Sequence, residues 1–342
     1  MQKLTAALLP AFLGSLITGC ALHPGPSDSW PPASQYHAPI VAATAPGSAD
    51  RSLTIARLAR QLKDSDVVVI GEYHGHHGAH LLQSRLQLAL FKHNPNQVLA
   101  LEAFNLDHQE VLDRYLAGEI GEGELIDDAD GWPNYKASYR PLVEFARQHR
   151  LPVIAANAPA QTVRCVGRSG GNWLEQIDKQ ARDRLPAEPF HGTDRYRQRF
   201  FDAMGGHHSE GASERMQNSY LAQLLRDNTM ATRILDARQQ HPGHQIIHIN
   251  GTFHSENRDG VVAALLHRQP DLRIAVISPV FVTDKNDSAM PVEANAGKGD
   301  YLYFLQPLPD EYLDPERYRE AIRRQFRDAA EISCPPPASD SH

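Results

Sequence analysis

VVVIGEYHGHHGAH, residues 67–80, decides the fold of this chain. Its first four residues form a short β-branched run, long enough for a buried strand. Gly71 breaks the run. Glu72, His74, His76, His77 and His80 follow within nine positions, and LLQSRLQLALF then carries apolar side chains at helical spacing. The stretch predicts strand, polar turn and helix. In open α/β sheets, ligands bind beyond the carboxyl ends of the strands, where Glu72 and His74 would stand. A solvated His-rich turn, or an adventitious metal-binding tract, is the plain alternative.

Residues 1–19 read as a lipoprotein signal peptide. Lys3 supplies a positive start, and the apolar stretch after it is too short and too interrupted by Pro10 to span a membrane. It closes on LITGC, a lipobox whose Cys20 would carry the acyl (palmitate-type) chains. Ala21 rather than Asp follows, which resembles the outer-membrane sorting pattern of Gram-negative lipoproteins. Residues 20–50, rich in Pro, Ala, Ser and Gly, read as a flexible tether. The expected location is therefore lipid-anchored at the Gram-negative outer membrane, on its periplasmic face or at the cell surface. Lys and Arg number 34 against 41 Asp and Glu, a net charge of −7, which argues against a nucleic-acid partner. Cys165 and Cys334 can pair in an exported protein, but Cys334 stands in a Pro-rich tail.

Further buried strands are expected at QVLAL (97–101), PVIA (152–155), QIIHI (245–249) and RIAVI (273–277), with YLYFL (301–305) as a sixth. Helical patterns separate them. Strands alternating with helices predict an α/β domain over residues 51–330, a three-layer, mainly parallel sheet flanked by helices. A helical insertion at about 160–240 would cap it, and residues 331–342 read as a disordered tail. Four strands in turn end in polar groups: Glu72 with His74, Glu102, Asn157, and Asn250 with His254. Parallel strands would bring these to one edge. The GGHHS stretch in the insertion adds a second histidine cluster, His207 and His208.

A carboxylate, several imidazoles and an amide permit three kinds of chemistry. They can bind a divalent metal, though HExxH is absent. His74 with Glu72 or Glu102 can act as a base and its orienting carboxylate, although no GxSxG elbow suggests a serine hydrolase. His or Tyr can ligate haem iron, and without CxxCH the haem would be held non-covalently.

The blocks GEYHGHHGAHLLQ, LALEAF, WPNYKASYRPLVEFA, VIAANAP, AQLLRDNTMA and INGTFHSENRDGV occur in order over roughly residues 52–280. Together they resemble the ChaN-type haem-binding lipoproteins, of a superfamily shared with Tiki proteases, TraB proteins and erythromycin esterases. The resemblance implies an α/β sheet, haem bound at a surface or in a homodimer, and a role in haem or iron uptake at the cell envelope. It implies a tyrosine iron ligand with histidine nearby: Tyr139 at the Tyr-x-Pro position, or Tyr135. His74, His80, Arg140, Asn157, His207, His208 and His254 are the other candidates for haem or its iron. The family's Asp-Asn after the first His is replaced by Gly75-His76, which leaves the ligand open. The competing expectation is a hydrolase, with or without a divalent metal, using Glu72, His74, Glu102 and His254 as catalytic residues.

Overall fold

Val67 to Ile70 are buried to the last atom, and they divide by parity. Val68 and Ile70 enter one apolar cluster; Val67 and Val69 enter another on the opposite face. A strand's side chains alternate between faces, so a continuous apolar run requires cover on both sides, as in parallel sheets. The computed structural model describes residues 30–44, 52–205, 214–283, 289–331 and 334, with side chains omitted for 325–331.

The strands are β1 (Ile40–Ala42), β2 (Val67–Glu72), β3 (Gln97–Asn105), β4 (Val153–Asn157), β5 (Gln245–Gly251), β6 (Ile274–Phe281) and β7 (Tyr301–Leu305). The helices before the insertion are α1 (Ile55–Leu62), α2 (His77–Phe91), α3 (Gln109–Ala117), α4 (Glu122–Asp128), α5 (Tyr135–Ser138) and α6 (Arg140–His149). Then come α7 (Ala160–Ser169), α8 (Lys179–Asp183), α9 (Asp194–Ala203), α10 (Glu214–Gln240), α11 (Gly260–Arg268), α12 (Val292–Asn295) and α13 (Pro315–Glu331). Sheet order is β1-β7-β6-β2-β5-β3-β4. All neighbours are parallel except β1 against β7. The sheet is mainly parallel and flanked by helices, as expected.

One face packs under α1, α2 and α6 and the other under α10 and α11. Leu58, Leu62, Leu86 and Leu90 supply much of the first contact; truncating any one to Ala costs about 2–5 kcal/mol. The expected insertion is α7 to α10. Its last helix, α10, runs 27 residues and crosses β4, α7 and α11.

Two readings change. The supposed tether contains β1, whose Ile40 and Val41 are buried against Tyr303 and Leu302; a three-residue strand is too short for its alternation to stand out among prolines. The supposed tail is pinned where it is described: Cys334 is disulfide-bonded to buried Cys165, 169 positions away. The signal peptide, Cys20, His207, His208 and the rest of the tail lie outside the described residues. Among those residues no helix is long and apolar enough to cross a membrane.

Candidate functional site

β2, β3, β4 and β5 are mutually parallel, so their carboxyl ends share one edge of the sheet. Glu72 is the last residue of β2 and Asn157 the last of β4. His254 stands in the 3-10 turn directly after β5. Glu102 sits where the β3–β4 register shifts, between Leu101 and Asn105. Such an irregularity re-aims side chains next to sites.

Glu72 is a buried carboxylate that must be satisfied internally. Its Oε1 accepts from the Tyr139 hydroxyl at 2.5 Å and faces His74 Nδ1 at 2.9 Å. Its Oε2 accepts from Gln83 at 2.6 Å, with His80 Nδ1 at 3.5 Å. Burial pushes the carboxyl up, but the hydrogen bond from His74, the His80 charge and the Tyr139 hydroxyl outweigh it and hold it below the ordinary range. For His74, burial pulls the imidazole down; the Glu72 hydrogen bond and the charges of Glu102 and Glu72 win and raise it. The His74 side chain is 46% exposed. Its Nε2 has no partner among the described residues and lies on the Gly251 side, where an added Cβ would come within 2.8 Å of it.

Glu102 Oε2 accepts from the Gly251 amide at 2.7 Å, and its Oε1 lies 3.4 Å from His254 Nε2. His254 Nδ1 faces Asp227 Oδ1 at 2.7 Å, and Tyr196 donates to the other Asp227 oxygen at 2.8 Å. Burial opposes the imidazolium, yet the charges of Glu102 and Asp227 lift its pKa to about 10. Both nitrogens are committed to carboxylates, so His254 cannot offer a lone pair to a metal. Gly260 makes this closeness possible: a Cβ there would fall 2.3 Å from the His254 carbonyl and 2.8 Å from Asp227 Oδ1.

A cavity of about 600 Å³ opens in front of His74. Phe200, Met204 and Phe253 give it an apolar wall; Glu72, His254 and Gln223 line it too, as do Glu256 and Lys298. Arg199 fixes the wall. It donates to the Phe253 carbonyl at 2.7 Å, lies 4.5 Å over that ring and pairs with Glu256 at 3.1 Å. A half-apolar cleft with a few convergent polar groups is the usual form of a ligand site.

The remaining candidates disperse. Tyr139 is 1% exposed, packed against Trp132 and His80, and burial with the Glu72 charge drives its phenol far up. Tyr135 is buried in the core behind it and its phenol is likewise raised by burial. Neither ring, expected as the iron ligand, lines the cavity; both pack in the core. Arg140 is paired bidentately with Glu122. His80 is buried beside Gln83 at 2.9 Å, and Asn157 spends its oxygen on the Ala158 amide. His76 caps α2 and reaches the Gln306 carbonyl, while His77 stacks on Tyr36. The expected haem contacts His207 and His208 lie outside the described residues. Among the described residues no three His, Cys, Asp or Glu side chains form a group that could hold a metal ion.

Sequence reading missed Asp227, Gln83 and the Phe200/Phe253 wall. Asp227 sits in RDN on the buried face of α10, and an acid in the middle of an apolar stripe was the available signal.

A family model described as "Haem-binding uptake, Tiki superfamily, ChaN" matches residues 58–265. The chain is similar in fold to the ChaN of Campylobacter jejuni, solved with cofacial haem, at a TM-score of 0.56 and 15% identity, covering 79% of this chain and 97% of that one. A Bacillus cereus protein aligns at a TM-score of 0.44 and 13% identity, over 80% of this chain and 95% of its own. The chloroplastic Protein RETICULATA-RELATED 5 of Arabidopsis thaliana is 32% identical over 84 residues, 24% of this chain. The chain spans only 11% of that plant relative's length.

Proposed function

The chain belongs to the ChaN family of haem-binding uptake proteins in the Tiki superfamily, and from that membership we propose that it binds haem in the cavity at the sheet edge, where His74 Nε2 would hold the iron. One observation carries the ligand choice. His74 holds its Nδ1 against Glu72, and its Nε2, on a residue that lines the cavity, has no partner among the described residues. A ligating histidine characteristically gives its other nitrogen to a carboxylate, which fixes the tautomer and raises basicity. Phe200, Phe253 and Met204 offer the apolar platform that a porphyrin face requires. When bound, haem would supply an iron centre, which the chain orients by the Glu72–His74 pair. Tyr139 is less suited, because its phenolate would be a second buried anion beside Glu72, and burial likewise holds Tyr135 as a neutral phenol.

The same reading extends to the cell. Acylation at Cys20 would anchor the protein by two chains, as stable attachment requires. The role is handling or uptake of haem and iron at the outer membrane, with a homodimer around haem as the assembly. A second reading shares His74: paired with Glu72, it is also a general base with its orienting carboxylate, as in a hydrolase. Titrating the purified domain with hemin tests the proposal. A saturable Soret band supports it; no Soret band together with turnover that dies in His74→Ala favours the hydrolase.

A further inference from the structure

Among the described residues that line the cavity in front of His74, Lys298 is the one lysine or arginine. It ends the 3-10 turn Ala296–Lys298, shortly before β7. The backbone on either side of it is held. The Lys298 carbonyl accepts from the buried Ser278 hydroxyl at 2.8 Å. The Asp300 amide donates to the Val276 carbonyl at 2.8 Å, and the Asp300 carboxylate accepts from the Val276 amide at 2.8 Å and from Arg258 at 2.9 Å. Between them Gly299 fits so closely that an added Cβ would come 2.8 Å from the Val276 carbonyl and 3.0 Å from Ser278 Oγ. The Lys298 ammonium, by contrast, makes no hydrogen bond or ion pair among the described residues.

The other charged groups of the cavity have partners in place. Glu72 has His74, Gln83 and Tyr139; His254 lies between Glu102 and Asp227; Glu256 pairs with Arg199 at 3.1 Å. Lys298 is therefore the unmatched charge of this cleft. On open surface an unpaired lysine is ordinary, because water solvates it. This one is half-buried and shares its cleft with the apolar wall of Phe200, Met204 and Phe253. A ligand that covers that wall displaces water from the ammonium as well. It must then supply an anion or leave a desolvated charge, which is costly.

We propose that Lys298 is the specificity-determining residue of the cavity, selecting ligands that carry a carboxylate, here a haem propionate, over neutral ligands of the same shape. A lysine suits that role as a compact point charge on a flexible stem, and the held backbone limits the volume its charge can sweep. The inference rests on the haem reading for its ligand, but the carboxylate preference can be tested without iron.

The experiment titrates hemin and hemin dimethyl ester, whose propionates are neutral, into the full chain as wild type, Lys298→Met, Lys298→Arg and Lys298→Glu. Wild type is expected to bind hemin about fivefold tighter than the ester, the scale of a partly exposed ion pair, and added salt should shrink that preference. Lys298→Met keeps the aliphatic stem and should bind both ligands as tightly as wild type binds the ester. Lys298→Arg should restore the preference and Lys298→Glu should invert it, which a packing role would not do. A Lys298→Met that still prefers hemin overturns the proposal. So does one that weakens hemin and ester equally, which would mark a structural lysine. Metal-free protoporphyrin IX and its dimethyl ester, followed by tryptophan quenching, should repeat the pattern without any iron bond. If wild type binds no porphyrin, the haem reading fails, and calorimetry with decanoate and decanol decides Lys298 alone. Decanoate heat that disappears in Lys298→Met sustains the carboxylate preference. No decanoate heat in wild type, or heat unchanged in Lys298→Met, overturns it.

Discussion

His74 Nδ1 lies 2.9 Å from Glu72 Oε1, and this contact determines which imidazole nitrogen is left for the cavity. Glu72→Gln removes the carboxylate and keeps the shape. Loss of such a partner typically costs 10–100-fold in affinity at the ligated group, and a loss in that range is expected for hemin. Ligation also needs His74 neutral. Its pKa is raised, so wild-type affinity should fall as pH drops through a midpoint above 6.5. Glu72→Gln should move that midpoint downward, because burial then acts on His74 with less opposition. Hemin affinity measured between pH 5 and 9 checks both; an unmoved midpoint would remove Glu72 from the role.

Tyr139→Phe separates the two ligand assignments. With Tyr139 donating to a buried Glu72, the variant should keep the wild-type Soret maximum and lose about 1–3 kcal/mol of stability. That corresponds to roughly 2–4 °C in melting temperature for each kcal/mol in a chain of this size. A shifted Soret band with unchanged melting would restore the tyrosine as ligand.

Gly251→Ala tests the open face of His74. The backbone there is unstrained, with φ −55, so the fold should survive with a change under about 1 kcal/mol. The new methyl would meet Nε2 at 2.8 Å and Cε1 at 2.9 Å and must push the ring aside. Hemin affinity is expected to fall about tenfold, near 1.4 kcal/mol. Wild-type affinity in a folded Gly251→Ala would show that iron does not approach from that side.

His254 governs stability at alkaline pH. Its folded pKa of about 10 stands above the ordinary 6.5. The imidazolium therefore contributes stability that is complete below 6.5 and lost by about 10. Glu72 and Glu102, both lowered, act on the acid side, and their contribution disappears as pH falls below the ordinary carboxylate range. Melting temperature should decline between pH 6.5 and 10 in wild type and decline less in His254→Gln. Equal slopes would show that His254 is not charged in the fold.

The alternating α/β layers were legible because β2 to β5 are largely apolar runs ending in Glu, Asn or Gly, and a parallel sheet aligns such ends automatically. β1 was hidden by its brevity. The convergence of Glu72, Glu102 and His254 followed from topology alone. What each does could not, since it depends on atoms far away in sequence. Glu72 meets Tyr139 67 positions on and Glu102 meets the Gly251 amide 149 positions on. The aromatic segment around Tyr139 reads the same whether its rings face a ligand or the core.

The most direct measurement is a hemin titration of wild type and His74→Ala, followed at the Soret band. His74 is half-exposed, so the substitution should leave the fold intact. Wild type is expected to saturate with a ligated Soret band, and His74→Ala to lose that band or bind far more weakly. An identical spectrum and affinity in both proteins would contradict haem ligation by His74.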